Sequence, residues 1–287
     1  MNDNKVFIST GHYKNLKPIQ TFNYLIKNNI NDIEFSGGLP VHLKEEKKFF
    51  KRLKNHNVRL HNYFPAPKKK FVINLASKNK KILRRSINHI KKSISYSKQI
   101  NGKYFSFHAG FRVDPGVKRL GKGFKKTKLT DKKEAESIFL KSVKEISKFA
   151  KKKNIKILIE NNVVNKKNLR IFGKNPLLLT NPKDIINFFK RCPKNIGLLI
   201  DVGHLKVSAR TEKFELVKSF KKLNKITEGY HFSDNNFIED QNLGFNSKSW
   251  FFKHFRRDLN YYTLEIYNDN LNYIKKIKKT VEKYLNK

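Results

Sequence analysis

Six residues of the kinds that ligate cations or move protons stand at or near the ends of short apolar runs: His61, His108, Glu160, Asp201, His231 and Glu265. Asp201 closes IGLLID (196–201), the most hydrophobic of those runs. A carboxylate there is costly to bury unless something pairs with it or ligates it. A single polar residue in such a place can be satisfied by a backbone hydrogen bond, but six from separate runs at the same end describe a shared site. Three carboxylates brought together without a counter-charge repel one another and raise their own pKa values, and no Arg ends any of the runs. A divalent cation held by Glu160, Asp201, His231 and Glu265 relieves that repulsion. Mixed oxygen and imidazole ligation suits Mn, Mg, Co or Zn.

Something must bring these ends together. The candidate strands are KVFIS (5–9), DIEFS (32–36), VRLHNY (58–63), YFSFH (104–108), IKILIE (155–160), IGLLID (196–201), ITEGYHF (226–232) and YYTLEIY (261–267). They read as short continuous apolar runs, as strands of a parallel sheet do when both faces are covered. Between them lie amphipathic lysine-rich segments, clearest at 77–100, 131–153, 182–191 and 270–285, with Asp131 and Asn181-Pro182 as helix starts. Eight strands alternating with eight helices predict a (β/α)8 TIM barrel, a fold of about 250 residues, here as a single domain over 1–287. In that fold the catalytic groups come from the C-terminal ends of different strands and meet at one mouth. A doubly wound sheet would want a Gly-rich phosphate turn after its first strand, and STGHYKN (9–15) is not one. The longest irregular stretch, 110–129, is strongly basic, and loops of that length are usually functional or disordered.

The net charge of +41 invites a nucleic-acid reading. Yet 53 of the basic residues are Lys and only 11 are Arg, the residue suited to bidentate phosphate recognition. With 33 Asn against 6 Ala, the composition is that imposed by an AT-rich genome, so the charge is weak evidence for DNA. It still favours anionic small molecules, and Arg112, Lys206 and Arg210 are placed to meet one. Cys192, the one cysteine, excludes an internal disulfide and reads as a small half-buried residue after a helix. Trp250 reads equally as a pocket wall or as helix packing. No run reaches membrane-spanning length, and the N-terminus lacks a signal-peptide core, so the expected compartment is the cytoplasm.

LIENN (158–162), LIDVGH (199–204), HFSDN (231–235) and LEIY (264–267) resemble, in order and strand placement, the xylose isomerase-like barrel superfamily. That group includes sugar-phosphate isomerases and epimerases and also endonuclease IV, the apurinic-site enzyme. The resemblance runs from about residue 6 to residue 267. It implies one divalent ion on Glu160, Asp201, His231 and Glu265, with the two Glu as the acid–base pair and His204 contacting a small carbohydrate. It implies self-association into a homo-oligomer as well. The endonuclease branch would need more than one zinc, and would recruit His61, His108, His204 and Asp240 as further ligands. Against that branch, Asn242 in DQNLGFN (240–246) stands where it has a ligating His, and a neutral amide is a poor zinc ligand. A barrel that binds without catalysis would have a broken metal set, and the four residues are all present. Sequence therefore favours an isomerase or epimerase, with the endonuclease as the alternative.

Overall fold

The strands are largely apolar because the barrel interior covers one face and a helical shell the other. In the computed structural model, which describes residues 5–37, 41, 43–67, 69–119 and 124–286, they are β1 (Val6–Ser9), β2 (Asp32–Phe35), β3 (Asn57–His61), β4 (Tyr104–His108), β5 (Lys156–Glu160), β6 (Ile196–Asp201), β7 (Thr227–Phe232) and β8 (Tyr262–Leu264). All pair in parallel and in sequence order, and β8 returns to β1 to close the barrel. The expected TIM barrel is therefore the fold. Of the expected 1–287 span, residues 1–4 and 287 are among those not described. The third run ends at His61 rather than at residue 63, and the eighth shrinks to three residues. Glu265 still extends the ladder, its N–H donating to the Phe232 carbonyl at 3.0 Å.

The shell is α1 (Pro18–Lys27), α2 (Leu43–Leu53), α3 (Lys80–Gln99), α4 (Lys132–Lys152), α5 (Lys166–Phe172), α6 (Pro182–Phe189), α7 (Val202–Glu212), α8 (Leu216–Asn224) and α9 (Leu271–Leu285). The caps fall where the sequence puts them. Asp131 accepts from the backbone N–H groups of Lys133 and Glu134, and Asn181 from that of Asp184. Strict alternation of one helix per strand does not hold. Two helices follow β5 and two follow β6, while no helix joins β7 to β8. The β7–β8 connection is too rich in Asn and Asp for a helix, and these side chains fold it into turns: Asn235 accepts from Phe237 N–H, Asn236 from Ile238 and Glu239 N–H, and Asn246 from Lys248 N–H. Its aromatic residues do a helix's packing. Phe251 stacks on Phe232 and Phe255 packs against Tyr230 and Tyr262. Trp250 meets Phe220 of α8 edge-on at 5.2 Å, which is the packing alternative.

Inside the barrel Leu158, Leu199 and Tyr261 form their own small cluster with Tyr104. Gly229 makes room for it, since a Cβ there would lie 2.8 Å from that of Tyr261. The buried Arg59 guanidinium is held between the rings of Phe7 (3.4 Å) and Tyr261 (3.8 Å). Cys192 is half-buried just after α6, as expected. The basic loop, of which residues 120–123 are not described, is tied down at its flanks: Phe111 bridges Leu177, and Phe124 packs with Val164 and Leu177. No helix among the described residues is long and apolar enough to cross a membrane.

Candidate metal and acid–base site

Strand ends deliver the polar residues to one point. His61, His108, Glu160 and Asp201 are the last residues of β3, β4, β5 and β6, His231 is next to last in β7, and Glu265 follows β8 directly. One ligand atom from each of Glu160, Asp201, His231 and Glu265 falls within 4.8 Å of the others, and His61, His108 and Glu160 form a second such group. Glu160 is the hub, with Oε1 3.2 Å from His204 Nδ1 and Oε2 3.4 Å from His231 Nδ1. Its contacts to His61 and His108 are 3.5 and 3.6 Å. Glu265 Oε2 lies 3.0 Å from His231 Nδ1, while Glu265 Oε1 accepts from the Tyr267 hydroxyl at 3.3 Å. Asp201 splits its carboxylate: Oδ1 caps α7 by accepting from His204 N–H at 2.7 Å, and Oδ2 is left free.

Burial sets the electrostatics. It pushes Glu160 well above the ordinary carboxylate range and Asp201 up to about 6. At Glu265 the effect of burial is overcome by the close contact and charge of His231, which hold it down at about 2. Burial also disfavours the imidazolium at His231 and His204, but Glu34 and Glu160 around the first, and Asp201 and Asp240 around the second, raise both well above the usual histidine value. His61 drops to about 4 through burial and the nearby His231 charge, and burial lowers His108 as well. Both Glu160 oxygens, Asp201 Oδ2 and His231 Nδ1 are buried without a well-formed hydrogen bond. Buried, hydrogen-bond-poor oxygens beside imidazole nitrogens are the donor set of a divalent metal, and the residues fit one.

A family model described as a xylose isomerase-like TIM barrel matches residues 27–285. The chain belongs to this family. No curated protein matches it in sequence. Solved structures similar to this xylose isomerase-like barrel include a D-tagatose 3-epimerase-like protein, with a TM-score of 0.68 at 18% identity over 98% of this chain and 97% of that one. The 3-keto-D-glucoside 4-epimerase YcjR from E. coli gives 0.64 at 9% identity over 98% of both chains. A Thermus thermophilus protein soaked with ZnCl2 gives 0.62 at 14% over 97% of both. At these identities the likeness is one of fold.

Other residues singled out in the sequence take varied places in the xylose isomerase-like barrel. His204 Nδ1 donates to the Asn161 carbonyl (2.9 Å), so Nε2 faces Asp240 Oδ2 at 3.2 Å. Lys206 is buried and bound to Asp234 and the Asn235 carbonyl. Arg112 donates to the carbonyls of Thr130 and Asn175 and so clamps the base of the basic loop. Arg210 stands exposed at the last turn of α7. Asn242 spends its amide N–H on the Glu265 carbonyl at 3.2 Å. Gly203 lets the chain after β7 approach: a Cβ there would lie 2.6 Å from Ser233 Oγ.

Three supporting groups escaped sequence reading. Asn161 Oδ1 accepts from Asp201 N–H at 2.8 Å and so fixes the strand end that carries this candidate ligand. Asn162 Nδ2 reaches the carbonyls of Ala109, Gly110 and Leu178 at 3.0–3.1 Å. Asn162→Ala is therefore expected to destabilise the protein by about 1–3 kcal/mol, the loss from stranding buried carbonyls. Urea unfolding measures it, and a change below about 0.5 kcal/mol, within the spread of ordinary surface substitutions, would contradict the assignment. The third group is Glu34 on β2, fully buried, with Oε1 2.9 Å from His231 Nε2. Burial alone would raise its pKa, but His231, Arg59 and His61 hold it far below the carboxylate norm. Its signal in DIEFS was faint: an acid between the apolar Ile33 and Phe35, in a run that already opens on Asp32.

Proposed function

We propose that the protein is a divalent-metal-dependent isomerase or epimerase of sugars or sugar phosphates, acting by proton abstraction next to a carbonyl through an enediolate. The observation that carries this reading is the cluster of Glu160, Asp201, His231 and Glu265, whose ligand atoms lie within 4.8 Å of one another. The epimerase names of two similar structures support the substrate class. These four residues would hold the metal. Once bound, a divalent cation supplies Lewis acidity toward the oxygens flanking the reacting carbon. Glu160 and Glu265 supply the proton transfers, one taking the proton from carbon and the other returning it. His204, its Nδ1 committed to Asn161, would exchange its Nε2 contact with Asp240 Oδ2 for a substrate hydroxyl. The depth of Glu160, which has no exposed surface, keeps bulk water from the transferred proton.

The test is a metal count on the purified protein together with solvent-deuterium incorporation into a panel of ketoses and their phosphates. One ion per chain and deuterium on the carbon next to the carbonyl support the proposal. The second reading, an apurinic-site phosphodiesterase with several zinc ions, draws on the His61, His108 and Glu160 group and on the His204–Asp240 contact. Two or three ions with nicking of abasic DNA would favour it. The Asn242 amide, turned to the Glu265 carbonyl, counts against it.

Protons compete with the metal. Asp201, near 6, and the raised Glu160 and His231 hold protons that ligation must displace as the pH falls. His61, near 4, stays neutral at pH 5.5, and burial lowers His108 as well. Metal affinity is expected to fall as pH drops from 7.5 to 5.5, by about tenfold per pH unit for each displaced proton. Titration calorimetry with Mn2+ at the two pH values checks the sign, and an affinity independent of pH would remove the buried carboxylates from the ligand set.

A further inference from the structure

Beneath the mouth, four side chains form a chain of contacts that ends on Glu34. His61 Nδ1 lies 2.8 Å from Ser106 Oγ, and Ser106 Oγ lies 2.7 Å from the Tyr261 hydroxyl, which donates to Glu34 Oε2. Thr263 Oγ1 donates to the same oxygen at 2.8 Å, and Arg59 Nε stands 3.5 Å away. Glu34 Oε1 faces His231 Nε2 at 2.9 Å, a contact too oblique for an in-line hydrogen bond yet short enough to decide which nitrogen carries the proton. Two hydroxyls, a guanidinium and an imidazole thus surround one carboxylate with no exposed surface, and a carboxylate so placed only accepts.

That fixes the direction of every link. Because Tyr261 gives its proton to Glu34, its oxygen must accept from Ser106. Ser106 Oγ must then accept from His61 Nδ1–H. His61 is left with a bare Nε2, the nitrogen that lies 3.5 Å from Glu160. On the other arm a bare Nε2 lone pair facing a carboxylate at 2.9 Å would be repelled, so His231 keeps a proton on Nε2, and its Nδ1, 3.0 Å from Glu265 and 3.4 Å from Glu160, is the nitrogen that faces the mouth. We propose that Glu34 is a positioning residue that decides which ring nitrogen of each histidine keeps its proton, His231 Nε2 by direct contact and His61 Nδ1 through Tyr261 and Ser106, so that His231 Nδ1 and His61 Nε2 are the nitrogens turned to the mouth. A carboxylate behind a ligating imidazole fixes its orientation and raises its basicity. In its bearing on metal binding the inference rests on the function proposed above.

The experiment records long-range 1H–15N spectra of the histidine rings, metal-free and zinc-loaded, in wild type, Glu34→Gln, Tyr261→Phe and Ser106→Ala, with Mn2+ affinity by calorimetry. In wild type His61 is expected as the Nδ1–H form, and His231 is expected to show a slowly exchanging Nε2–H. Tyr261→Phe and Ser106→Ala should release the His61 tautomer and leave the His231 signal in place. Glu34→Gln should disturb both and weaken Mn2+ binding by about 10–100-fold, the range for outer partners of metal ligands. A general packing defect would not separate the two histidines in this way. If the His61 tautomer is unchanged in all three variants, or the His231 signal moves as much in Ser106→Ala as in Glu34→Gln, the proposal is overturned. Should Glu34→Gln fail to fold, the two milder variants decide it. Should wild type bind no divalent ion, the proposed function falls, while the ring spectra still judge Glu34.

Discussion

Glu265→Gln is expected to lower carbon-bound proton exchange by about 10²–10⁴-fold, the range for a lost general acid or base, with the barrel intact. The substitution is nearly isosteric. Its amide oxygen can still accept from the Tyr267 hydroxyl, and the backbone link to Phe232 is untouched. What disappears is the charge beside His231 Nδ1 and the capacity to take a proton. Metal affinity should weaken too, so the rate must be read at saturating Mn2+. Deuterium wash-in under single-turnover conditions separates chemistry from product release. Turnover that survived with metal bound would rule out the two-glutamate scheme and leave Glu265 as a ligand only.

Asp201→Asn should have opposite effects on stability and on metal binding. The Asp201 pKa in the folded protein, about 6, lies above its unsupported value of 3.8, so the ionised carboxylate destabilises the metal-free fold. That penalty is absent below about pH 4, grows through pH 6 and is complete at pH 7.5. Removing it should stabilise the metal-free protein at pH 7.5 by an amount on the order of 3 kcal/mol, roughly 8 °C in melting temperature. Asn keeps the α7 cap, because its oxygen can accept from His204 N–H as Oδ1 does. Metal affinity, by contrast, should fall by about a hundredfold or more with the loss of an anionic ligand. Melting in a chelator at pH 7.5 and at pH 4, beside calorimetric titration of Mn2+, tests both parts. A variant that melts lower than wild type at pH 7.5, or that still binds Mn2+ as well, would show that Asp201 does not serve as a strained ligand.

The sequence made the barrel and its mouth legible because a parallel strand buried on both faces leaves a plain apolar run, and a polar residue closing it stands out. Asp201, Glu160 and His231 were visible for that reason. Glu34 and Arg59 were not, because they lie one pleat deeper, inside runs that otherwise look like core. Their meaning depends on neighbours more than two hundred residues away, Tyr261 and Thr263. Asn161 and Asn162 were in plain view within LIENN, yet which carbonyls they reach depends on loops with no sequence period. The missing helix after β7 was hidden by apolar residues in SKSWFFKHF, whose aromatic content packs on the shell without needing a helix. Lys206, which the sequence offers to an anionic substrate, is bound within the fold by Asp234.

The bond from Asp201 N–H to Asn161, with His204 Nδ1 leaning on the Asn161 carbonyl, has a consequence for anyone recombining such barrels. β5, β6 and the first turn of α7 share one set of polar fastenings, so they are expected to exchange best as a single cassette. A chimera whose crossover falls between Glu160 and Asp201 would set Asp201 against a foreign support. One that moves residues 156–204 as a block would carry the fastenings along with both carboxylates.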